Sequence, residues 1–179
     1  MFNFKNIFLI GPMGSGKSTI GKLIKIDLQI PFYDSDNEIE QRCGFDIKFI
    51  FNVEGEECFR FREAQVIKFI SNKKGVIIAT GGGTITHHDN IILLRKGIVI
   101  FLSVSVELQF KRIHNNTNNR PLLQCKNPKK KLQELYLIRE KIYSANAYII
   151  VSTEFNLYTV VNNINNNLFI YKNEKLKLY

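Results

Sequence analysis

The stretch Gly11-Pro12-Met13-Gly14-Ser15-Gly16-Lys17-Ser18 follows the spacing G-x-x-x-x-G-K-[ST]. The chemistry of that spacing is phosphate binding. Glycines let successive backbone N–H groups turn inward around a phosphate, and a helix opening at Lys17 adds the positive end of its dipole. Lys17 is placed to reach β- and γ-phosphates as a point charge, and the Ser18 hydroxyl to ligate Mg²⁺. The bland alternative is a Gly-rich turn that only starts a structural helix. Such a loop speaks for nucleotide binding more than for any one reaction. Guanine-reading GTPases also need N-K-x-D, and the nearest match, Asn72-Lys73-Lys74-Gly75, has Gly where the Asp belongs.

Two carboxylates stand together in Asp34-Ser35-Asp36. At the carboxyl end of a strand beside the loop, they could divide the work, Asp34 holding Mg²⁺ through water and Asp36 meeting an acceptor hydroxyl. Either could instead cap the following helix. Gly81-Gly82-Gly83 follows an apolar run, and three glycines in a row cost backbone entropy that close approach to a ligand would explain. Arg60 and Arg139 lie in amphipathic stretches, where an arginine can equally be one half of a solvated i,i+3 or i,i+4 pair.

These groups need a scaffold, and the apolar pattern outlines one. Strands are expected at Ile7–Ile10, Phe32–Tyr33, Val76–Ala79, Ile98–Leu102 and Tyr148–Val151. Helices are expected at Lys17–Leu28, Asp36–Arg42, Glu54–Ser71, Asp89–Lys96, Val106–His114, Pro128–Ala147 and Leu157–Asn167. Strands alternating with helices imply crossover units, hence an α/β three-layer sandwich with a five-stranded parallel sheet and helices on both faces. With the phosphate loop after the first strand, this is the nucleoside-triphosphate-hydrolase type of architecture. No repeat or linker divides the chain, so residues 1–179 read as a single domain. The polar run Asn115–Asn119 reads as a mobile loop, and Leu168–Tyr179 as a tail that frays or adds a last strand.

Composition excludes several classes. Hydrophobic residues make up 45% and charged residues 23% of the 179 residues, a globular balance. No apolar run reaches the ~18 residues of a membrane helix, and the first residues do not read as a signal peptide, so a cytoplasmic protein with no membrane partner is expected. The net charge of +9 rests mostly on Lys in a chain also rich in Ile and Asn, a pattern of codon drift, so no nucleic-acid partner is expected. Cys43, Cys58 and Cys125 are widely spaced and read as free thiols, and His87, His88 and His114 lack partners at zinc-ligand spacing.

In combination the motifs resemble those of the shikimate kinases. The matching segments are Gly11–Gly21, Phe32–Asp36, Glu54–Arg60, Ala79–Gly83 and Asn119–Leu123, within a likeness running from about Asn6 to Val151. The resemblance implies ATP on Gly14, Ser15, Gly16, Lys17, Ser18 and Thr19, with Mg²⁺ on Ser18 and water-linked to Asp34. It implies Lys17, Asp36 and Arg120 as catalytic residues. Shikimate would be met by Asp36, the Gly82 backbone and a carboxylate clamp of Arg60 and Arg139, with Glu63 orienting Arg60. A lid at about 112–124 would bring Arg120 to the phosphates, acceptor-binding helices would lie at about 35–62, and the core at about 5–167. The implied product is shikimate 3-phosphate, on the route to aromatic amino acids, made by a monomer. The family's Pro after the second clamp arginine is missing from Lys141-Ile142-Tyr143. The turn after the last strand also lacks the usual Pro or Arg for adenine, leaving Asn156 as the candidate there.

Overall fold

The continuous apolar run from Ile98 has no polar side to offer water, and in the computed structural model it forms strand β4 (Ile98–Ser103), buried on both faces. Residues 5–113 and 121–176 are described by the structure. Among them, β1 (Ile7–Ile10), β2 (Phe32–Asp34), β3 (Ile77–Ala79), β4 and β5 (Ile149–Ser152) form one parallel sheet in the order β2-β3-β1-β4-β5. Leu9 in β1 lies beside Ala79 on one side and Ile100 on the other.

The helices are α1 (Lys17–Leu28), α2 (Ser35–Cys43), α3 (Ile47–Ser71), α4 (His88–Leu94), α5 (Val106–Ile113), α6 (Pro128–Asn146) and α7 (Leu157–Leu176). Strand alternation sorts the core into two layers. Ile7 and Leu9 meet Ile20 and Ile24 of α1 and Val160 and Ile164 of α7. Phe8 and Ile10 share the other layer with Ile39 of α2, Ile67 and Ile70 of α3, Leu94 of α4 and Tyr143 of α6. Each fully buried side chain of this size contributes about 1.5–3 kcal/mol relative to exposure. The three-layer, five-stranded parallel architecture expected from the sequence is therefore present.

Two elements differ from expectation. Helix α3 starts at Ile47, where Asp46 caps it by accepting from the Phe49 amide at 2.6 Å. It breaks at Gly55, whose φ of 83° is non-helical, so the expected start at Glu54 coincides with a kink inside a longer element. The tail is neither frayed nor a strand as far as Leu176, because α7 continues through it. Leu168 and Tyr171 pack on the core, Tyr148 meets Tyr171 edge-on at 4.8 Å, and the Tyr148 hydroxyl donates to Glu174. The mobile loop assigned to Asn115–Asn119 lies outside the described residues, as does Arg120. No described helix is long and apolar enough to cross a membrane.

Because all five strands run parallel, the segments that follow them gather along one rim of the sheet. β1 lies between β3 and β4, so the chain departs to opposite sides there and leaves a crevice beyond its carboxyl end.

Candidate active site

The loop between β1 and α1 occupies that crevice. Gly16 is the cap of α1 with φ of 87°, a left-handed conformation natural to glycine, and no side chain caps the helix. The amides of the first turn thus keep their donors for an anion. Lys17 folds back over the loop, its Nζ donating to the Gly11 and Pro12 carbonyls at 2.8 Å each and to Ser15 Oγ at 3.4 Å. Ser18 and Thr19 follow on the exposed first turn.

β2 delivers the carboxylates. Asp34 Oδ1 accepts from the Asp36 amide at 3.0 Å and so caps α2, while Asp34 Oδ2 accepts from the Ser18 hydroxyl. Of the two capping candidates, Asp34 is therefore the one used. Its contact with Ser18 joins a hydroxyl and a carboxylate, the hard oxygen donors that Mg²⁺ prefers, so these residues fit the ion. Between the two aspartates, the buried Ser35 hydroxyl accepts from the Gly81 amide at 2.9 Å and fixes the glycine run against α2.

Helix α3 supplies Arg60, with only 13% of its side chain exposed. Its Nη1 donates to the fully buried Glu63 at 2.8 Å, and its Nη2 and Nε to Glu56 at 3.0 and 3.3 Å. Burial works against the Arg60 charge, but Glu63 and Glu56 outweigh it and hold the pKa above the ordinary arginine value. Glu63 is held in turn by the Thr84 hydroxyl at 2.7 Å. The guanidinium lies so close to Gly83 that a Cβ there would overlap it. From α6, Arg139 Nη1 donates to the Gly82 carbonyl at 3.3 Å. Asp36, Arg60, Gly82 and Arg139 line one concavity, together with Met13 of the phosphate loop and Pro121 and Leu122.

Asn156 is placed differently from the rest. Its Oδ1 accepts from the Thr159 amide and hydroxyl at 2.9 and 3.1 Å, so it caps the start of α7. A residue without a clear sequence signal is more closely tied to the phosphate loop. Arg112, at the end of α5, donates to the Gly14 carbonyl at 3.0 Å, to Thr153 Oγ1 at 3.1 Å and to the Thr153 carbonyl at 2.5 Å. It thereby fixes the loop against the turn after β5. Only the tertiary fold shows this, since Arg112 and Thr153 are distant in sequence.

Comparison with known proteins places this geometry in a family. The family model described as shikimate kinase matches residues 13–168. A shikimate kinase of Hahella chejuensis is 49% identical over 151 residues, covering 84% of this chain and 78% of that protein. One from Shewanella sp. (strain ANA-3) is 47% identical over 160 residues, covering 89% and 93%. Among solved structures, the shikimate kinase from Acinetobacter baumannii in complex with shikimate superposes with a TM-score of 0.91 at 40% identity, over 94% of this chain and 95% of that one.

Proposed function

The chain belongs to the shikimate kinase family, and from that premise we propose that it transfers the γ-phosphoryl group of ATP, with Mg²⁺, to the 3-hydroxyl of shikimate. One observation carries the acceptor assignment. Two arginines from different helices, Arg60 and Arg139, converge on the Gly82–Gly83 backbone beside Asp36 and the phosphate loop. Paired planar guanidiniums suit a carboxylate, which each can bind through two parallel hydrogen bonds.

The phosphates rest on the backbone of Gly14 to Thr19, and Lys17 exchanges the Gly11 and Pro12 carbonyls for phosphate oxygens. Ser18 would hold Mg²⁺ directly and Asp34 would hold it through water, and the ion would neutralise charge on the phosphate oxygens. Arg60 and Arg139 grip the acceptor carboxylate, and the Gly82 amide meets a ring hydroxyl. Asp36 orients the 3-hydroxyl in line with the phosphoryl group and accepts its proton as the new oxygen–phosphorus bond forms and the bond from the γ-phosphorus to the β–γ bridging oxygen breaks, releasing ADP. Because the transition state is loose, the gain from Asp36 comes from placement as well as from its basicity. Arg120, within a lid at about 112–124, adds charge at the transferring group. Asn156 borders the adenine end of the site through its amide nitrogen, its oxygen being used on Thr159. The enzyme acts as a cytoplasmic monomer on a small-molecule acceptor on the route to aromatic amino acids, without nucleic-acid or membrane partners.

Phosphorus NMR of the product tests the assignment. A phosphate monoester coupled to the C3 proton of shikimate is expected, and an ester at another hydroxyl, or inorganic phosphate alone, overturns it.

A further inference from the structure

The Gly82 carbonyl accepts two donors from one face of α6. Arg139 Nη1 donates to it at 3.3 Å, and the Tyr143 hydroxyl, one helical turn further on, donates to it as well. The tyrosine side is the rigid one. Tyr143 is 2% exposed, stacked on Phe101 of β4 at 5.0 Å and 18°, and belongs to the core layer beneath the sheet's second face. The peptide it holds has structural reach. A Cβ added at Gly82 would come within 3.6–3.7 Å of the phosphate-loop backbone at Met13 and Gly11, and one at Gly83 would overlap the Arg60 guanidinium.

We infer that Tyr143 is a positioning residue for the acceptor site, its buried hydroxyl pinning the Gly82–Gly83 peptide and thereby setting where Arg139 and Arg60 can lie. The inference rests on the acceptor assignment above. Without the phenol, the Gly82 carbonyl keeps Arg139 as its only described side-chain donor, and Arg139 is drawn onto the backbone and away from the substrate carboxylate. The carbonyl is half-buried, so losing one of its two donors carries a cost that water relieves only in part. Burial raises the phenol's pKa far above its ordinary value despite the opposing charge of Arg139, so the group stays protonated and donating at every working pH.

Tyr143→Phe keeps the ring stack and removes only the hydroxyl. Steady-state kinetics of the full chain should show the KM for shikimate raised about tenfold or more, the worth of one charge-assisted hydrogen bond misdirected. The KM for ATP and kcat should stay within about threefold, the pattern of lost acceptor binding rather than lost transition-state contact. A uniform fall in activity with both KM values unchanged would mark Tyr143 as a packing residue and overturn the inference, as would kinetics identical to wild type. The ¹⁵N resonances of the Arg60 and Arg139 guanidiniums give a readout that does not depend on turnover. They should move in Tyr143→Phe, and unmoved resonances overturn the inference even if the wild-type protein phosphorylates a different acceptor. Wild-type turnover with shikimate separately decides the acceptor assignment.

Discussion

Replacing Glu63 by Gln tests how Arg60, the arginine proposed to grip the acceptor, is held. Glu63 is fully buried and faces two donors, Arg60 Nη1 at 2.8 Å and the Thr84 hydroxyl at 2.7 Å. Gln keeps the shape but has one oxygen, so whichever way its amide turns, one donor loses its acceptor. The better orientation gives the oxygen to Arg60 and leaves Thr84 to accept from the amide. The charge-assisted bond then becomes an ion–dipole bond. Arg60 keeps Glu56, but that carboxylate is 50% exposed, and a solvent-screened partner of this kind contributes only about 0–1 kcal/mol. Loss of a charged hydrogen bond costs roughly 1.5–3 kcal/mol, and no carboxylate need then be desolvated, which offsets part of it. For a domain of this size each kcal/mol moves Tm by about 2–4 °C, so with the full loss as the upper limit Glu63→Gln should melt lower by at most roughly 12 °C. The shikimate KM should rise about tenfold as Arg60 loses its anchor, while the ATP KM holds. Thermal unfolding and steady-state kinetics on the same preparation measure both effects. A variant as stable as wild type, with an unchanged shikimate KM, refutes the claim that Glu63 anchors Arg60.

Asp36→Asn should fold and bind ATP but lose at least about 10²-fold in kcat, since Asn cannot take the proton; near-normal turnover would reduce Asp36 to a structural residue. Gly83→Ala places a methyl group where the Arg60 guanidinium lies, so isothermal titration should show shikimate binding weakened by about tenfold or more with nucleotide binding retained. Equal affinity for shikimate would show that Arg60 is not held against that backbone. Arg120→Ala should lower kcat more than it weakens shikimate binding, because its charge is needed chiefly in the transition state; a change confined to the shikimate KM would place Arg120 in the acceptor clamp instead.

The parts of the site built from local backbone were legible in the sequence. The phosphate loop, the Asp34–Asp36 pair and the glycine run each follow a strand, and strand order then brings them to one rim. The arginines were less legible. On spacing alone Arg60 was as good a solvated surface pair as a ligand, and it does pair with Glu56 four residues earlier. The structure adds the buried Glu63 on its other side, and burial is a property of the fold. Arg112 and Tyr143 act on carbonyls 98 and 61 residues away, which no local pattern encodes. The start of α3 was missed because Gly55 breaks the helical period in mid-element. The end of α7 was missed because its Asn-rich sequence has weak helix propensity, and tertiary packing of Leu168 and Tyr171 outweighs it.

The central claim is that the two arginines select a carboxylate-bearing ring for phosphorylation by Mg²⁺-bound ATP. The most direct measurement is coupled ADP release with shikimate, gluconate and nucleoside monophosphates as acceptors, each with and without Mg²⁺. Turnover is expected with shikimate only, and only when Mg²⁺ is present. A rate with shikimate no higher than with ATP alone, alongside turnover of another acceptor, would contradict it.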